Sequence, residues 1–341
     1  VIARWVWRAF LVAVLIVAVR FVLIPQFTDA RIALLSLGHV AIPLLLLGLG
    51  LELASICCYT ALSWTTLNRS SRPKYTTILR IDLATEGVNN SVPGGGPTAT
   101  AVKFRMLTLA GATPANAVTG TTMEIATSVL TLGGLFGISI ALSTHTVRGN
   151  PEYIIAGVVV GAVALLSCLA LVLLRRHREL VLALVGRLTR RIPYLPKDAS
   201  VAFVGTAAQH LDEYYATRRH LPVAVAWAAA NWLLDIAALW TFLLAFGYRS
   251  DPLHLLVAYG LACLVALVPV TPGGLGIIEG VLVPALVGFG TPHGIALLGV
   301  LSWRLVQYWL PIPLAVIAYA SLRAGPLRRS SRETDHVRAT V

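Results

Sequence analysis

Six stretches of this chain are apolar for about 20 residues or more, the length a helix needs to cross a hydrocarbon core roughly 30 Å thick. They lie at about 5–24, 38–62, 114–141, 152–174, 221–246 and 293–320. In lipid no water reaches the backbone of such a segment, so its N–H and C=O groups must pair internally, as they do in a helix. The rest of the chain does not offset this: 57% of residues are hydrophobic and 12% charged, far from a soluble domain. The chain reads as an all-α integral membrane protein, a polytopic helical bundle. Its first run is long for the apolar core of a signal peptide and is read as an uncleaved helix.

The formal charge of +12 would suit a nucleic-acid surface in a soluble protein. In a membrane protein it has a simpler origin, because Lys and Arg gather in cytoplasmic loops, and no nucleic-acid partner is predicted. Segment 175–220 holds nine Lys and Arg, and the tail from Arg323 holds five, so both are predicted to be cytoplasmic, along with the N-terminus. The connections PQFTDAR, STHTVRGNPE and GYRSDP carry one Arg each and suit the outside. Within 175–220, Leu180, Leu184 and Leu188 share a helical face beside Arg187, Arg190 and Arg191. That fits a basic amphipathic helix on the inner leaflet, or a packed cytoplasmic hairpin. Residues 321–341 read as a disordered basic tail. Cys57, Cys58, Cys168 and Cys263 all lie in apolar runs without metal-ligand spacing, and the histidines form no metal motif, so no metal or cofactor is predicted.

Two segments break the apolar pattern. SVPGGGPTATAVKFRML begins at Ser91 within 74–111, and VPVTPGGLGIIEG begins at Val268 within 252–290. Each consists of two short arms around a Pro-Gly-Gly. The arm before Pro93 contains Asp82, Glu86, Asn89 and Asn90, too polar to face lipid. Irregular backbone at membrane depth is tolerated only where protein or a water-filled cavity covers it. Both segments are therefore predicted to be re-entrant, broken-helix hairpins; two short spans per segment would leave the sidedness of the other helices unchanged.

A shift of 179 residues superimposes Pro73 on Pro252, Pro93-Gly94-Gly95 on Pro272-Gly273-Gly274, Gly111 on Gly290 and Gly120 on Gly299. The ten identities in 63 positions are few, but they concentrate at Pro and Gly, where backbone geometry is constrained. With the charge-derived sidedness, the first hairpin is entered from the cytoplasm and the second from outside. The reading is two inverted repeats, about 40–141 and 221–320, within one transmembrane domain over 1–320. Interrupted helices at matching positions of inverted halves point to a transporter's midplane site.

The tips suggest chemistry. Glycines allow a tight reversal, and Pro97 suits the first turn of a new helix. Free N–H groups and a positive dipole end would then face the tip, a setting for phosphate or carboxylate; a plain chain reversal is the competing reading. Asp82 and Lys103 fall at similar depth on the two arms, as do Arg80 and Arg105. Asp82 is expected to pair with Lys103, and Lys103 with Arg105 to form a positive region suited to a lipid phosphate. Glu124 is the buried acid of the first half. Glu279 with Arg304 is read either as an ion pair holding hairpin to helix or as a substrate contact, and Asp235 and Glu52 share that ambiguity. The candidate substrate-binding residues are Arg80, Asp82, Glu86, Pro93, Gly94, Gly95, Gly96, Lys103, Arg105, Glu124, Asp235, Pro272, Gly273, Gly274, Gly276, Glu279 and Arg304.

LVPVTPGGLGIIEGVLVPALVGFG, followed by GVLSWRLVQYWLPIPLA, resembles the C-terminal signature of the lysylphosphatidylglycerol synthase transmembrane region, a flippase-like domain. SVPGGGPTATAVKFRMLTLAGATPANAV resembles that family's first Pro-Gly motif, over a likeness extending from about 40 to 320. Where the family commonly has an Arg and a Gly-Glu after the first Pro-Gly, this chain has Gly95, Gly96, Pro97 and Thr98. The resemblance implies a lipid flippase or transporter of the cytoplasmic membrane, moving a lipid with an anionic or zwitterionic headgroup between leaflets, and not an enzyme. About 20 mostly polar residues follow Ala320, too few for an aminoacyltransferase domain, so none is expected here, and no nucleotide-binding motif is present. The alternatives are a non-catalytic partner of cell-envelope biosynthesis proteins and a membrane-embedded lipid-linked transferase. A homo-oligomer or a cell-envelope enzyme are the protein partners left open.

Overall fold

Every apolar run within residues 40–92, 95–143, 220–266 and 271–325, the residues that the computed structural model describes, is helical. The spans predicted at 5–24 and 152–174, and the linker ahead of His220, lie outside the described residues. In chain order the helices are α1 (Ile42–Thr66), α2 (Tyr75–Ser91), α3 (Gly95–Leu109), α4 (Pro114–Leu142), α5 (His220–Ala245), α6 (Pro252–Ala266), α7 (Ile277–Gly288), α8 (His293–Arg304) and α9 (Pro311–Ala324). A 3-10 turn, Pro272–Gly274, precedes α7, and a π-helical turn, Leu305–Trp309, joins α8 to α9. The last helix passes the end predicted at 320 and closes at Ala324.

Local chemistry sets these boundaries. Thr113 caps α4 by accepting the Asn116 N–H at 3.3 Å, and Pro114 takes the first helical position, where an N–H would have no partner. Pro311 has no N–H to continue the ladder from α8. The helix widens just before it, and Leu310 N–H reaches back five residues to the Leu305 carbonyl at 3.0 Å. α3 and α7 both end in a glycine with positive φ, Gly111 at 102° and Gly290 at 91°. The amide of Ala112 bonds to the Leu107 carbonyl, as that of Thr291 does to Leu286, at 3.0 Å in both places.

Among the described residues, four helical stretches are long and apolar enough to cross a membrane: Ile42–Thr66, Pro114–Leu142, Leu221–Ala245 and His293–Ala324. The protein is thus a multi-pass membrane protein with an all-α bundle. Ile42, Leu46, Val316 and Ile317 are all more than 60% exposed, as lipid-facing positions of such helices are. The arms of the interrupted segments are shorter. α3 has 15 residues and α7 has 12, or about 22 and 18 Å at the rise of an α-helix, against a core of roughly 30 Å.

α1 packs chiefly on α5 and α2 on α9, while α6 packs on α7 and also on α4, so each first arm lies against the last long helix of the other half. Where α1 meets α5, Asn231 donates to the Ser55 carbonyl at 3.2 Å and Ser55 donates to the Asn231 carbonyl at 3.0 Å. Gly120 lies beneath Leu67 and Gly299 beneath Leu243 with matching geometry. One apolar core joins α5 to α8 through Leu239, Leu243, Tyr259, Leu282 and Trp303. A second joins α2, α3 and α4 through Ile78, Ile81, Leu107 and Ala117.

Candidate functional site

Inside the first half, one ammonium holds two carboxylates. Lys103 Nζ on α3 lies 2.8 Å from Asp82 Oδ1 on α2 and 2.6 Å from Glu124 Oε1 on α4. Ser63 on α1 accepts from Lys103 at 2.8 Å and donates to Glu124 at 2.7 Å. The Tyr59 ring lies 5.1 Å from the ammonium. Lys103, Asp82 and Glu124 are each at most 5% exposed. The pairing of Asp82 with Lys103 follows the expected depth, but Glu124 is the closer partner. Lys103 is therefore not open to a phosphate. Nor do Lys103 and Arg105 form one positive region, because residues two apart on a helix point about 200° away from each other, and Arg105 is exposed.

The second half repeats this plan with the charges exchanged. Arg304 Nε on α8 donates to Glu279 Oε1 on α7 at 2.5 Å. Its other nitrogens reach Gln307 Oε1 at 2.7 Å and the Gly273 carbonyl at 3.1 Å, so one guanidinium fixes the arm, the tip and the π-helical turn. The guanidinium also lies 4.6 Å from the Tyr308 ring. At the start of α7 the expected open anion site is filled from within: Glu279 Oε2 accepts the Gly276 N–H at 2.6 Å. A carboxylate three residues into a helix reaches its own N-cap amide, and the helix dipole favours it there.

The two interrupted segments meet. Asn90, at the end of α2, donates to the Tyr308 carbonyl at 3.1 Å, and the Tyr308 hydroxyl donates to the Asn90 carbonyl at 2.6 Å. Gly273 lies against both: a Cβ there would stand 2.5 Å from Asn90 Oδ1 and 2.7 Å from Tyr308 Cε2. Its φ of 50° disfavours a side chain as well. Gly273→Ala is expected to lower the thermal midpoint in detergent through strain of about 1–3 kcal/mol. An unchanged midpoint would show that the tips do not touch.

α1 and α5 run antiparallel, with the Ala41 amide on the Ala245 carbonyl and Ser55 bonded to Asn231, which brings Glu52 and Asp235, each about one turn further on, to the same level of the seam. Asp235 accepts from the Tyr259 hydroxyl and the Trp303 indole, at 2.5 Å each. Of the remaining sequence candidates, Arg80 and Glu86 are half-buried, Gly95 and Gly274 are buried, and Gly96 is exposed. Pro93 and Gly94 lie outside the described residues. Among the described residues no group of three or more His, Cys, Asp or Glu could hold a metal ion.

Ser63, Tyr59, Gln307, Tyr308 and Asn231 belong to these networks without having been singled out in the sequence. A signal for the two α1 residues was present: Glu52, Ser55, Tyr59 and Ser63 recur every three or four residues inside an apolar run, a polar stripe at helical period. Gln307 and Tyr308 stand three and four residues after Arg304, on the same side of the helix.

A family model described as the lysylphosphatidylglycerol synthase transmembrane region matches residues 6–315. Two relatives, both UPF0104 membrane proteins of Methanothermobacter thermautotrophicus, align over shorter stretches. One is 33% identical over 89 residues, 26% of this chain and 25% of the relative. The other is 26% identical over 87 residues, 26% of each chain. The chain thus matches about a quarter of the length of these curated relatives.

Proposed function

The chain belongs to the family of the lysylphosphatidylglycerol synthase transmembrane region, and from that premise we propose that it moves a lipid between the leaflets of the membrane it spans. The observation that carries this reading is the contact of two interrupted segments, Asn90 against Gly273 and Tyr308, inside a polar bundle centre. A membrane bundle does not need buried ions to fold, and each costs roughly 2.5–3.5 kcal/mol on insertion scales. Placing Lys103, Arg304 and their acids beside the two tips accords with a headgroup path. Arg80, Glu86 and Arg105 form no ion pair among the described residues, and these charges are the ones proposed to meet the headgroup.

In this reading the short arms are re-entrant hairpins of two inverted repeats. Matching helix ends at Gly111 and Gly290 support it, as does the exchange of first arms between halves. Pro114 and His293 are equivalent under the 179-residue shift, and both are exposed. Single cysteines there, in a background lacking the native four, are expected to react with an impermeant thiol reagent from opposite sides of the membrane. Reaction of both from one side rules the inversion out.

Headgroup recognition has its own test. A ligand that binds only the folded state raises the melting temperature by mass action. Short-chain phospholipids with phosphoglycerol, phosphoethanolamine and phosphocholine headgroups, added to the purified protein, are expected to separate by their thermal shift. Equal shifts from all three and from a headgroup-free detergent of the same chain length would show no headgroup site.

A further inference from the structure

The ion clusters of the two halves each contain a cation; among the described residues the carboxyls at the seam between the halves have none. Glu52 comes from α1 and Asp235 from α5, the two helices that pack most extensively on each other, and they are 4% and 7% exposed. Both Asp235 oxygens already accept short hydrogen bonds, Oδ2 from Tyr259 on α6 and Oδ1 from Trp303 on α8. Glu52 Oε2 is buried and has no hydrogen-bond partner among the described residues. Among the described residues, the other titratable or charged groups around the pair are Cys263 and Tyr259 on α6, Glu86 on α2 and Arg304 on α8. None of these forms an ion pair with either acid, and Arg304 is engaged by Glu279, Gln307 and the Gly273 carbonyl. Two facing carboxylates with no counter-ion among the described residues repel strongly where water is excluded, whereas a single shared proton lets one donate a hydrogen bond to the other.

We propose that Glu52 and Asp235 form a proton site at the seam, holding one proton between them when closed and releasing it to water when the seam opens. The step is a simple acid dissociation: the O–H bond of one carboxylic acid breaks, its electron pair stays on the carboxylate, and the proton passes to water. Asp235 is tied through Tyr259 to the first arm of the second interrupted segment. Through Trp303 it is tied to the residue before Arg304, which holds that segment's tip. Loss of the proton therefore loads an added negative charge onto the groups that position α6 and α8. The coupling of this proton to lipid movement rests on the transport reading above; the site itself does not.

The test is infrared spectroscopy of the full chain in lipid nanodiscs. At neutral pH the wild type is expected to show the C=O stretch of a protonated carboxylic acid, shifted in deuterium oxide and absent in Glu52→Gln. The glutamine amide can still donate to Asp235, so this variant keeps the contact in its closed form. If Glu52→Gln does not fold, carboxyl-13C glutamate or aspartate in the wild type locates the same band by its isotope shift. A spectrum without the band, or a band indifferent to Glu52→Gln and to both labels, overturns the proposal. So does stabilisation by sodium chloride but not by choline chloride in place of the band, which would make this a cation site. In proteoliposomes, exchange of a labelled phospholipid is expected to depend on pH in the wild type and to lose that dependence in Glu52→Gln. A wild type that shows the band yet moves no lipid keeps the proton site and removes only the transport reading.

Discussion

Lys103→Met is expected to abolish recovery of folded protein. The substitution keeps most of the side chain's volume and removes the cation that lies 2.8 Å from Asp82 and 2.6 Å from Glu124. Two carboxylates would remain, each at most 4% exposed, and Asp82 Oδ2 already has no hydrogen-bond partner among the described residues. Removing one partner of a buried pair typically costs about 3–5 kcal/mol, because the other charge is left uncompensated. Here two are left, so the loss belongs at the upper end. Combining Lys103→Met with Asp82→Asn and Glu124→Gln removes the charges together, and this triple variant is expected to recover a monodisperse peak in size exclusion and most of the thermal midpoint. Lys103→Met as stable as the wild type would show that the three groups do not meet as charges.

The second large effect is expected at Arg304. Arg304→Leu removes bonds to Glu279, Gln307 and the Gly273 carbonyl in one step, and among the described residues leaves Glu279 bonded only to the Gly276 amide. A cost of about 3–5 kcal/mol follows from the stranded carboxylate alone. Glu279→Gln is milder, since the amide oxygen can still accept from the guanidinium. The double variant is expected to be more stable than Arg304→Leu by about 1 kcal/mol or more, since groups in direct contact couple by roughly 0.5–3 kcal/mol. Thermal midpoints of the two single variants and the double complete the cycle. Strictly additive losses would mean that the pair is not joined. Arg304→Lys is no rescue, because one ammonium cannot span the carboxylate, the glutamine and the tip carbonyl that the guanidinium fork reaches.

Much of this arrangement was legible in the sequence, for reasons that differ by residue. The spans beginning near residues 38, 114, 221 and 293 were readable because apolar runs of that length have one stable outcome in lipid. The interruptions were readable because Pro-Gly-Gly cannot continue a helix. Asp82 and Lys103 could be matched because depth on two antiparallel arms follows from counting residues away from the turn. Glu124 could not, since its approach to Lys103 depends on how α4 is rotated against α3, which tertiary packing decides. The contact of Asn90 with Tyr308 joins residues 218 apart, and no local pattern announces it. The reading of Arg105 as a companion to Lys103 overlooked helical phase. The internal cap at Gly276 was readable in principle, because Glu279 stands at the third helical position, where a carboxylate closes a capping box.

The central claim is lipid movement, and one measurement bears on it directly. Purified protein is reconstituted into vesicles carrying a fluorescent phospholipid in both leaflets, and a membrane-impermeant reductant bleaches the outer leaflet. With the wild type, fluorescence is predicted to fall below the inner-leaflet plateau of protein-free vesicles, at a rate that rises with protein per vesicle. A plateau identical to that of protein-free vesicles for phosphoglycerol, phosphoethanolamine and phosphocholine lipids alike would contradict the account.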